Sequence, residues 1–140
     1  MALQLQTLEA KILSTSDDDI ARLATQVFQF AEPKWNHVER RSHRRRAYPT
    51  ILGITPLIDG TLEPARETRF VVGRNLARNG IDFFHDKPFT ERQVAVSLEC
   101  EAESWVHFLM DVNWCRFIRA GWYVSGGKFI KVIDWPAGDR

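Results

Sequence analysis

Cysteine is scarce in this sequence of 140 residues, which contains only Cys100 and Cys115. Two cysteines so far apart favour neither a disulfide framework nor a zinc site, and a reducing cytoplasm is the simplest expected location. Long apolar runs are also missing, since none approaches the roughly 20 residues of a membrane-spanning helix. The N-terminus lacks the basic start and the long apolar stretch of a secretion signal. We therefore expect a cytoplasmic protein without membrane insertion.

Sequence signatures of catalysis and of metal binding are absent as well. The chain has no nucleophile elbow and no glycine-rich phosphate loop. Its four histidines, at positions 37, 43, 85 and 107, show no metal-ligand spacing. We interpret Glu101 and Glu103 as loop charges rather than as a catalytic pair. The sequence therefore predicts a protein that is not an enzyme and that carries no cofactor.

Charge of one sign is not in excess, because 19 Lys and Arg face 18 Asp and Glu for a net charge of +1. A general nucleic-acid-binding domain usually has a basic surplus, so this balance argues against nucleic acid as the partner. Residues 40–46, which we call the basic segment, nevertheless contain five arginines. This segment is a solvated linker, a patch for nucleic acid or acidic lipid, or a binding site for an anionic ligand.

The N-terminal part has the pattern of a helix. Ser16, followed by three aspartates, is an N-cap signal, with Asp19 at the position that closes a capping box. Apolar residues then recur at helical spacing (Ile20, Leu23, Ala24, Val27 and Phe28). Glu32-Pro33 ends this helix. A shorter helix is predicted before it from Leu5, Leu8, Ile12 and Leu13. The apolar stripe is expected to pack on the following domain or, alternatively, on a partner helix.

From Tyr48 onward the pattern is typical of β-strands. Apolar and polar residues alternate over 93–99 and over 106–114. Further strands are expected at 50–57, 70–72, 80–84, 122–124 and 129–133, with a bulge or bend at Ser125-Gly126-Gly127. About six strands without an intervening helix predict a mostly β protein with an antiparallel barrel or sandwich. The expected organisation is a helical segment over 1–33, a basic linker over 34–47 and a β domain over 48–140.

Three short motifs occur in an order that resembles the PilZ domain family over roughly residues 39–134. The basic segment contains Arg-x-x-x-Arg, aligned as Arg41 and Arg45 or, in a shifted register, as Arg40 and Arg44. The turn motif of the family, Asp/Asn-x-Ser-x-x-Gly, is matched by Asn75 and Gly80, with Ala77 in place of the serine. The third motif is Gly126-Gly127-Lys128-Phe129 near the C-terminus. The resemblance implies a six-stranded antiparallel β-barrel.

The resemblance further implies a bacterial second-messenger receptor that binds cyclic di-GMP. The implied ligand-binding residues are Arg41, Arg45, Asn75 and Gly80, with Arg40, Arg44 and Arg78 as auxiliaries. The arginines would hold guanine and phosphate, and Gly80 would supply a positive φ. Trp114 is the one tryptophan that we expect to border a bound purine. Ligand capture would order residues 36–46 and reorient the helical segment toward a downstream protein partner. The alternative is a ligand-free adaptor that docks on a protein through its arginine patch.

Ala77 is the departure from the family pattern. A missing hydroxyl hydrogen bond costs roughly 0.5–1.5 kcal/mol of affinity. Arg74 and Arg78 flank this position and could compensate through contacts with phosphate. We therefore expect binding that is weakened but retained.

Overall fold

The structure, a computed structural model, describes residues 10–31 and 46–135. Its elements in chain order are β1 (Lys11–Ser14), α1 (Asp17–Ala31), β2 (Arg46–Ala47), β3 (Ile51–Pro56), β4 (Arg69–Ala77), β5 (Gly80–His85), β6 (Gln93–Glu99), β7 (Trp105–Arg119) and β8 (Trp122–Asp134). A 3-10 turn over Glu101–Glu103 joins β6 to β7. The single strand β8 contains the Ser125–Gly127 stretch where a bend was predicted.

Strands β3 to β8 form a closed antiparallel barrel of six strands, as predicted. The order around the barrel is β8, β5, β4, β3, β6 and β7, and the pairing of β7 with β8 closes it. The two remaining strands extend the edges: β1 pairs with the end of β8, and β2 pairs with the end of β4. Closure leaves no long open edge around the body of the barrel.

The alternation in β6 has a physical basis in burial. Val94, Val96 and Leu98 belong to the main core, where the rings of Phe108 and Phe129 stack at 4.1 Å. The opposite face of β6 is also buried, because Ala95 packs in a second cluster with Leu57, Leu109, Ile133 and Trp135. Strand β6 is therefore buried on both sides at its centre, although its second face also carries the buried polar residue Ser97.

Helix α1 packs on the barrel through the predicted apolar stripe. Ile20, Ala24, Val27, Phe28 and Ala31 are buried and share the main core with residues of the barrel. The stripe therefore contacts the following domain and not a partner helix. No helix in the described ranges is both long and apolar enough to span a membrane.

The N-cap prediction is confirmed, but the capping box is not formed. Ser16 Oγ accepts hydrogen bonds from the backbone N–H groups of Asp18 and Asp19, at 3.1 and 3.2 Å. The backbone N–H of Ser16 donates instead to Ser14 Oγ, at 3.0 Å. The carboxylate of Asp19 accepts from Ser14 Oγ at 2.7 Å and from Arg22 at 3.1 Å. Asp19 thus joins the helix start to β1.

The helix predicted before α1 is wrong where the structure describes it. Lys11–Ser14 is strand β1, and Ile12 lies opposite Ile133 of β8. Strand β5 pairs with β8 only as far as Lys128, so the end of β8 is available to another strand. The pairing of β1 with β8 therefore determines the conformation of this segment, although Ile12 and Leu13 have helical spacing. Both side chains are exposed. Leu5 and Leu8 lie outside the described residues.

The end of the predicted basic linker is part of the sheet. Arg46 pairs with Leu76 of β4, and Ala47 pairs with Asn75. Strand β3 then pairs with β4 from Ile51, which lies opposite Val72, to Ile54, which lies opposite Arg69. Residues 48–50 connect β2 to β3. The described chain therefore resumes at Arg46, the last residue of the basic segment, as a strand beside the end of β4.

Candidate functional site

A shallow cleft lies on the outer face of the barrel, where four strands run side by side. Asn75 of β4, Asp82 of β5, Gly126 of β8 and Trp114 of β7 are consecutive partners across these strands. The neighbouring Leu76 points into the core, so alternation places Asn75 outside. The cleft has a volume of about 150 Å³ and is lined by Asn75, Ala77, Asn79, Gly80, Ile81, Asp82, Trp114 and Gly127.

Glycines occupy positions in and beside the cleft where larger residues would not fit. A Cβ on Gly126 would lie 2.6 Å from Trp114 Cζ2 and 2.8 Å from Asp82 Cβ, so the indole rests on this glycine. A Cβ on Gly80 would overlap the carbonyl oxygen of Gly127. The backbones of β5 and β8 therefore approach closely here, and the Trp114 indole covers Gly126.

The prediction that Gly80 has a positive φ is wrong. Among the described residues, the glycines with positive φ are Gly60 and Gly121, both in hairpin turns. Gly80 starts strand β5 opposite Lys128, where the backbones of β5 and β8 approach closely. Steric space, rather than an unusual backbone conformation, therefore requires glycine at this position.

A β-bulge in β4 directs one side chain and one backbone N–H group toward one carboxylate. Gly73 pairs with Phe83 and Asn75 with Asp82, so Arg74 is the extra residue. Arg74 Nη1 donates to Asp82 Oδ2 at 3.1 Å, and the backbone N–H of Asn75 donates to Asp82 Oδ1 at 2.8 Å. Asp82 is only 6% exposed. A buried carboxylate is costly without partners, and here both oxygens have one.

The structure brings two of the predicted ligand-binding residues together with Ala77, the position of the missing serine, and leaves a third residue beside them. Asn75, Ala77 and Gly80 line the cleft. Arg78 is exposed in the two-residue turn between β4 and β5 and lines a neighbouring groove with Ala77, Asn79, Lys128 and the first turn of α1. The side-chain amide of Asn75 makes no hydrogen bond to any described residue. Arg40, Arg41, Arg44 and Arg45 lie outside the described residues.

The predicted loop between the strands at 70–72 and 80–84 is shorter than expected. Strand β4 continues through Asn75 to Ala77, because β2 and β5 pair with it on either side. Only Arg78 and Asn79 form the turn. The motif positions therefore lie on rigid strands, and their side chains have fixed directions.

Two charged residues of the site were not among the predicted ligand-binding residues. Asp82 could have been noticed as an acid within an otherwise apolar strand, but no sequence signal reveals the bulge that aims Arg74 at it. Arg116 is the second, and its guanidinium lies 5.3 Å from the centre of the Trp114 ring. This cation–π contact adds a positive charge beside the indole.

The last arginine of the basic segment contacts helix α1. The guanidinium of Arg46 lies 4.7 Å from the centre of the Phe28 ring. Both residues line a small cavity of about 70 Å³ together with Ala24, Leu76, Ala77 and Arg78. The end of the basic segment, the helix and the rim of the candidate site therefore meet at one place.

His85 and Ser125 form a buried pair that has the geometry of a base and a nucleophile but no access. His85 Nε2 lies 2.8 Å from Ser125 Oγ, and His85 Nδ1 lies 3.0 Å from the carbonyl oxygen of Lys87. A carbonyl can only accept, so Nδ1 carries the proton and Nε2 accepts from the hydroxyl. Ser125 and His85 are 1% and 2% exposed. No reactant can reach them, and we assign the pair a structural role.

Burial gives His85 a testable effect on stability. Desolvation lowers the pKa of His85 below its ordinary value of 6.5, and the carbonyl of Lys87 opposes this shift. The unfolded chain therefore binds a proton at a pH where the folded protein does not. The contribution of neutral His85 to the stability of the fold should be fully present above about pH 6.5, and it should be lost as the pH decreases below this value. Melting temperatures measured between about pH 7.5 and about pH 5.5 should fall less for His85→Gln than for the original protein. Equal falls would contradict this role.

The fold and the site define a small antiparallel β-barrel protein with a polar and aromatic cleft on its wall. Comparisons with protein-family models, curated proteins and solved structures found no match for this chain. In the described part of the chain, no group of three or more His, Cys, Asp or Glu side chains could hold a metal ion. The function is therefore argued from the chemistry of the cleft itself.

Proposed function

We propose that the protein is a cytoplasmic bacterial receptor of the PilZ type that binds cyclic di-GMP. The observation that carries the proposal is the position of Arg46, which pairs with Leu76 between the cleft residues Asn75 and Ala77. Arg45 is bonded to Arg46, so their Cα atoms are within 3.8 Å, and Arg41 has a reach of about 18 Å. Covalent geometry alone thus allows both arginines of the Arg-x-x-x-Arg motif to reach a ligand in the cleft.

The chemistry of the cleft suits a guanine nucleotide. Trp114 lines the cleft and offers an aromatic ring to a planar base, and base–aromatic stacking contributes about 1–3 kcal/mol per base. The free amide of Asn75 can donate and accept hydrogen bonds. The exposed cations Arg78 and Lys128 line the neighbouring groove together with Asp17 and Asp18 of α1, so they add no net positive charge there. Arginines from the basic segment would add bidentate hydrogen bonds to phosphate or to the O6/N7 edge of guanine.

Titration calorimetry tests the proposal directly. The purified protein is titrated with cyclic di-GMP at about 150 mM salt, where exposed charges are screened within about 8 Å. GTP serves as the control ligand. The proposal predicts saturable binding of the dinucleotide, micromolar or tighter, with little or no response to GTP. Absence of heat, together with an unchanged melting temperature in the presence of cyclic di-GMP, would refute it.

Restoring the hydroxyl at position 77 should tighten the binding. Ala77 is partly buried and lines the cleft, so a serine hydroxyl would face the ligand. One additional hydrogen bond contributes about 0.5–1.5 kcal/mol, or up to about tenfold in affinity. The measurement is the dissociation constant of Ala77→Ser for cyclic di-GMP. Ala65→Ser, on an exposed loop outside the cleft, is the matched control and should leave the affinity unchanged. A weaker Ala77→Ser complex would contradict the assigned place of the ligand.

Exposed apolar residues favour the second candidate, a ligand-free adaptor that docks on a protein. Ile51, Phe70 and Val72 are 60%, 68% and 45% exposed, and Ile51 lies directly opposite Val72 on the outer face. Adjacent exposed apolar side chains of this size are typical of protein-interaction surfaces. The adaptor predicts that cyclic di-GMP neither binds nor stabilises the protein, so the same calorimetry separates the two candidates.

A further inference from the structure

The bulge in β4 gives the site a guanidinium that is already oriented without a ligand. Arg74 donates through Nη1 to Asp82 Oδ2 at 3.1 Å. Asp82 is itself fixed by the backbone N–H of Asn75 at 2.8 Å. One edge of the Arg74 guanidinium is therefore anchored on Asp82 of β5, and the side chain is held in place before any ligand arrives.

The other edge of this guanidinium is available. The side chain of Arg74 is 40% exposed, and its Nε and Nη2 groups donate to no described residue. Because Nη1 is the atom that contacts Asp82, the parallel N–H groups of Nε and Nη2 remain as a complete fork for two acceptors. A pair of acceptors on one ligand edge would satisfy both donors at once.

Charge decides which acceptors fit this fork best. The carboxylate of Asp82 is buried and lies beside Arg74, so it offsets most of the positive charge of the guanidinium. An arginine in such a pair attracts a phosphate less strongly than a free one does, but its hydrogen-bond geometry is unchanged. Uncharged acceptors on a planar base therefore suit it better than the oxygens of a phosphate.

The position of Trp114 agrees with a base at this place. The indole and Asp82 Cβ both lie within 3 Å of the point that a Gly126 Cβ would occupy, at 2.6 and 2.8 Å. The strand order β4, β5, β8, β7 therefore places Arg74 and the indole on either side of Asp82. Asp82 and Trp114 line the cleft, so a purine beside the indole would lie next to the residue that holds Arg74.

We propose that Arg74, held by Asp82, reads the O6 and N7 acceptors of a guanine base in the bound ligand. Adenine has a donor at N6 where guanine has the O6 acceptor, so the fork would select guanine over adenine. This inference rests on the proposed function, since it assigns a base-reading residue beside the same cleft, next to Asp82.

A comparison of two ligands on three proteins tests the assignment. Calorimetry would measure cyclic di-GMP and its 7-deaza analogue, in which N7 is replaced by C–H, on the original protein, Arg74→Ala and Arg74→Lys. A bidentate arginine–guanine contact is worth about 1–3 kcal/mol, so Arg74→Ala should weaken cyclic di-GMP about 5- to 150-fold. Arg74→Lys keeps the charge but lacks the fork and should weaken it similarly. The deaza analogue should bind the original protein more weakly than cyclic di-GMP, and Arg74→Ala should not distinguish the two ligands.

The outcomes separate this inference from the proposed function. The assignment to Arg74 would be overturned if Arg74→Ala bound cyclic di-GMP as tightly as the original protein does. It would also be overturned if the deaza analogue lost as much affinity for Arg74→Ala as for the original protein. Either result would leave the receptor function standing. Failure of the original protein to bind cyclic di-GMP would overturn both. Arg92→Ala, an exposed arginine outside the cleft, is the control. If Arg74→Ala lacks a melting transition, Arg74→Lys decides by the same criteria.

Discussion

Gly127→Ala is expected to destabilise the barrel by about 3 kcal/mol or more, which lies at or above the upper end for overpacked sites. A Cβ on Gly127 would overlap the carbonyl oxygen of Asp111 and come within 2.9 Å of Val112 Cα. These are backbone atoms, so no rotamer change can relieve the overlap. The pairing of β7 with β8, which closes the barrel, would have to separate locally. Thermal melting without ligand should show a decrease of roughly 10 °C.

Gly53→Ala is the matched control, because Gly53 is also buried in a strand. A Cβ at Gly53 would lie 3.4 Å from Thr68 Cγ2 and 3.5 Å from Phe70 Cε1, both side-chain atoms at ordinary contact distance. Alanine also restricts the unfolded chain more than glycine does, which favours folding. Gly53→Ala should therefore stay within about 1 kcal/mol of the original protein. Similar losses for both variants would show that the close approach at Gly127 is not the cause.

The parts of the fold that could be predicted are those with a local signal. Ser16 was predicted to cap α1 because its side chain is adjacent in sequence to the N–H groups it satisfies. The alternation over 93–99 predicted β6 because one face of that strand fills the barrel core. Both signals extend over a few residues, so they could be identified without knowledge of the tertiary structure.

The parts that could not be predicted depend on pairing between distant segments. Strand β1 forms where the end of β8 extends beyond β5, and Ile12 has a helical spacing that gives no hint of this. The bulge exists because Gly73 pairs with Phe83 and Asn75 pairs with the adjacent Asp82, which leaves Arg74 without a partner in β5. Motif spacing selected Asn75 and Gly80, whereas the place of Trp114 beside them follows from the strand order β4, β5, β8, β7.

Of four single alanine variants in the basic segment, we expect two to lose most of the binding of cyclic di-GMP. Arg41→Ala and Arg45→Ala each remove at least one charge-assisted hydrogen bond of about 1.5–3 kcal/mol, or about 10- to 150-fold in affinity. Arg40→Ala and Arg44→Ala remove the same charge from the same segment, so they are the matched controls. Dissociation constants from calorimetry at one salt concentration give the comparison.

The pattern among the four variants distinguishes the hypotheses. If Arg40→Ala and Arg44→Ala, rather than the other two variants, lost most of the affinity for cyclic di-GMP, the shifted register of the motif would be established. Equal, gradual losses at all four positions would indicate a general electrostatic patch, and nucleic-acid binding by such a patch would also weaken steeply with salt. Only two strong positions separated by three residues agree with a specific receptor.

Trypsin cleavage supplies the second readout of the same variants, because it reports on the segment itself. Arg46 contacts Phe28 of α1 at 4.7 Å, which provides a physical connection between a ligand-bound segment and the helix. Ordering of residues 36–46 by cyclic di-GMP would cost conformational entropy at the moment of binding. It should also slow cleavage after Arg41 and Arg45 in the original protein. At a ligand concentration that saturates only the original protein, Arg41→Ala should lose the protection at Arg45, because its affinity is expected to be about 10- to 150-fold weaker. Cleavage that the ligand leaves unchanged would refute a transmitted signal even if the binding itself were confirmed.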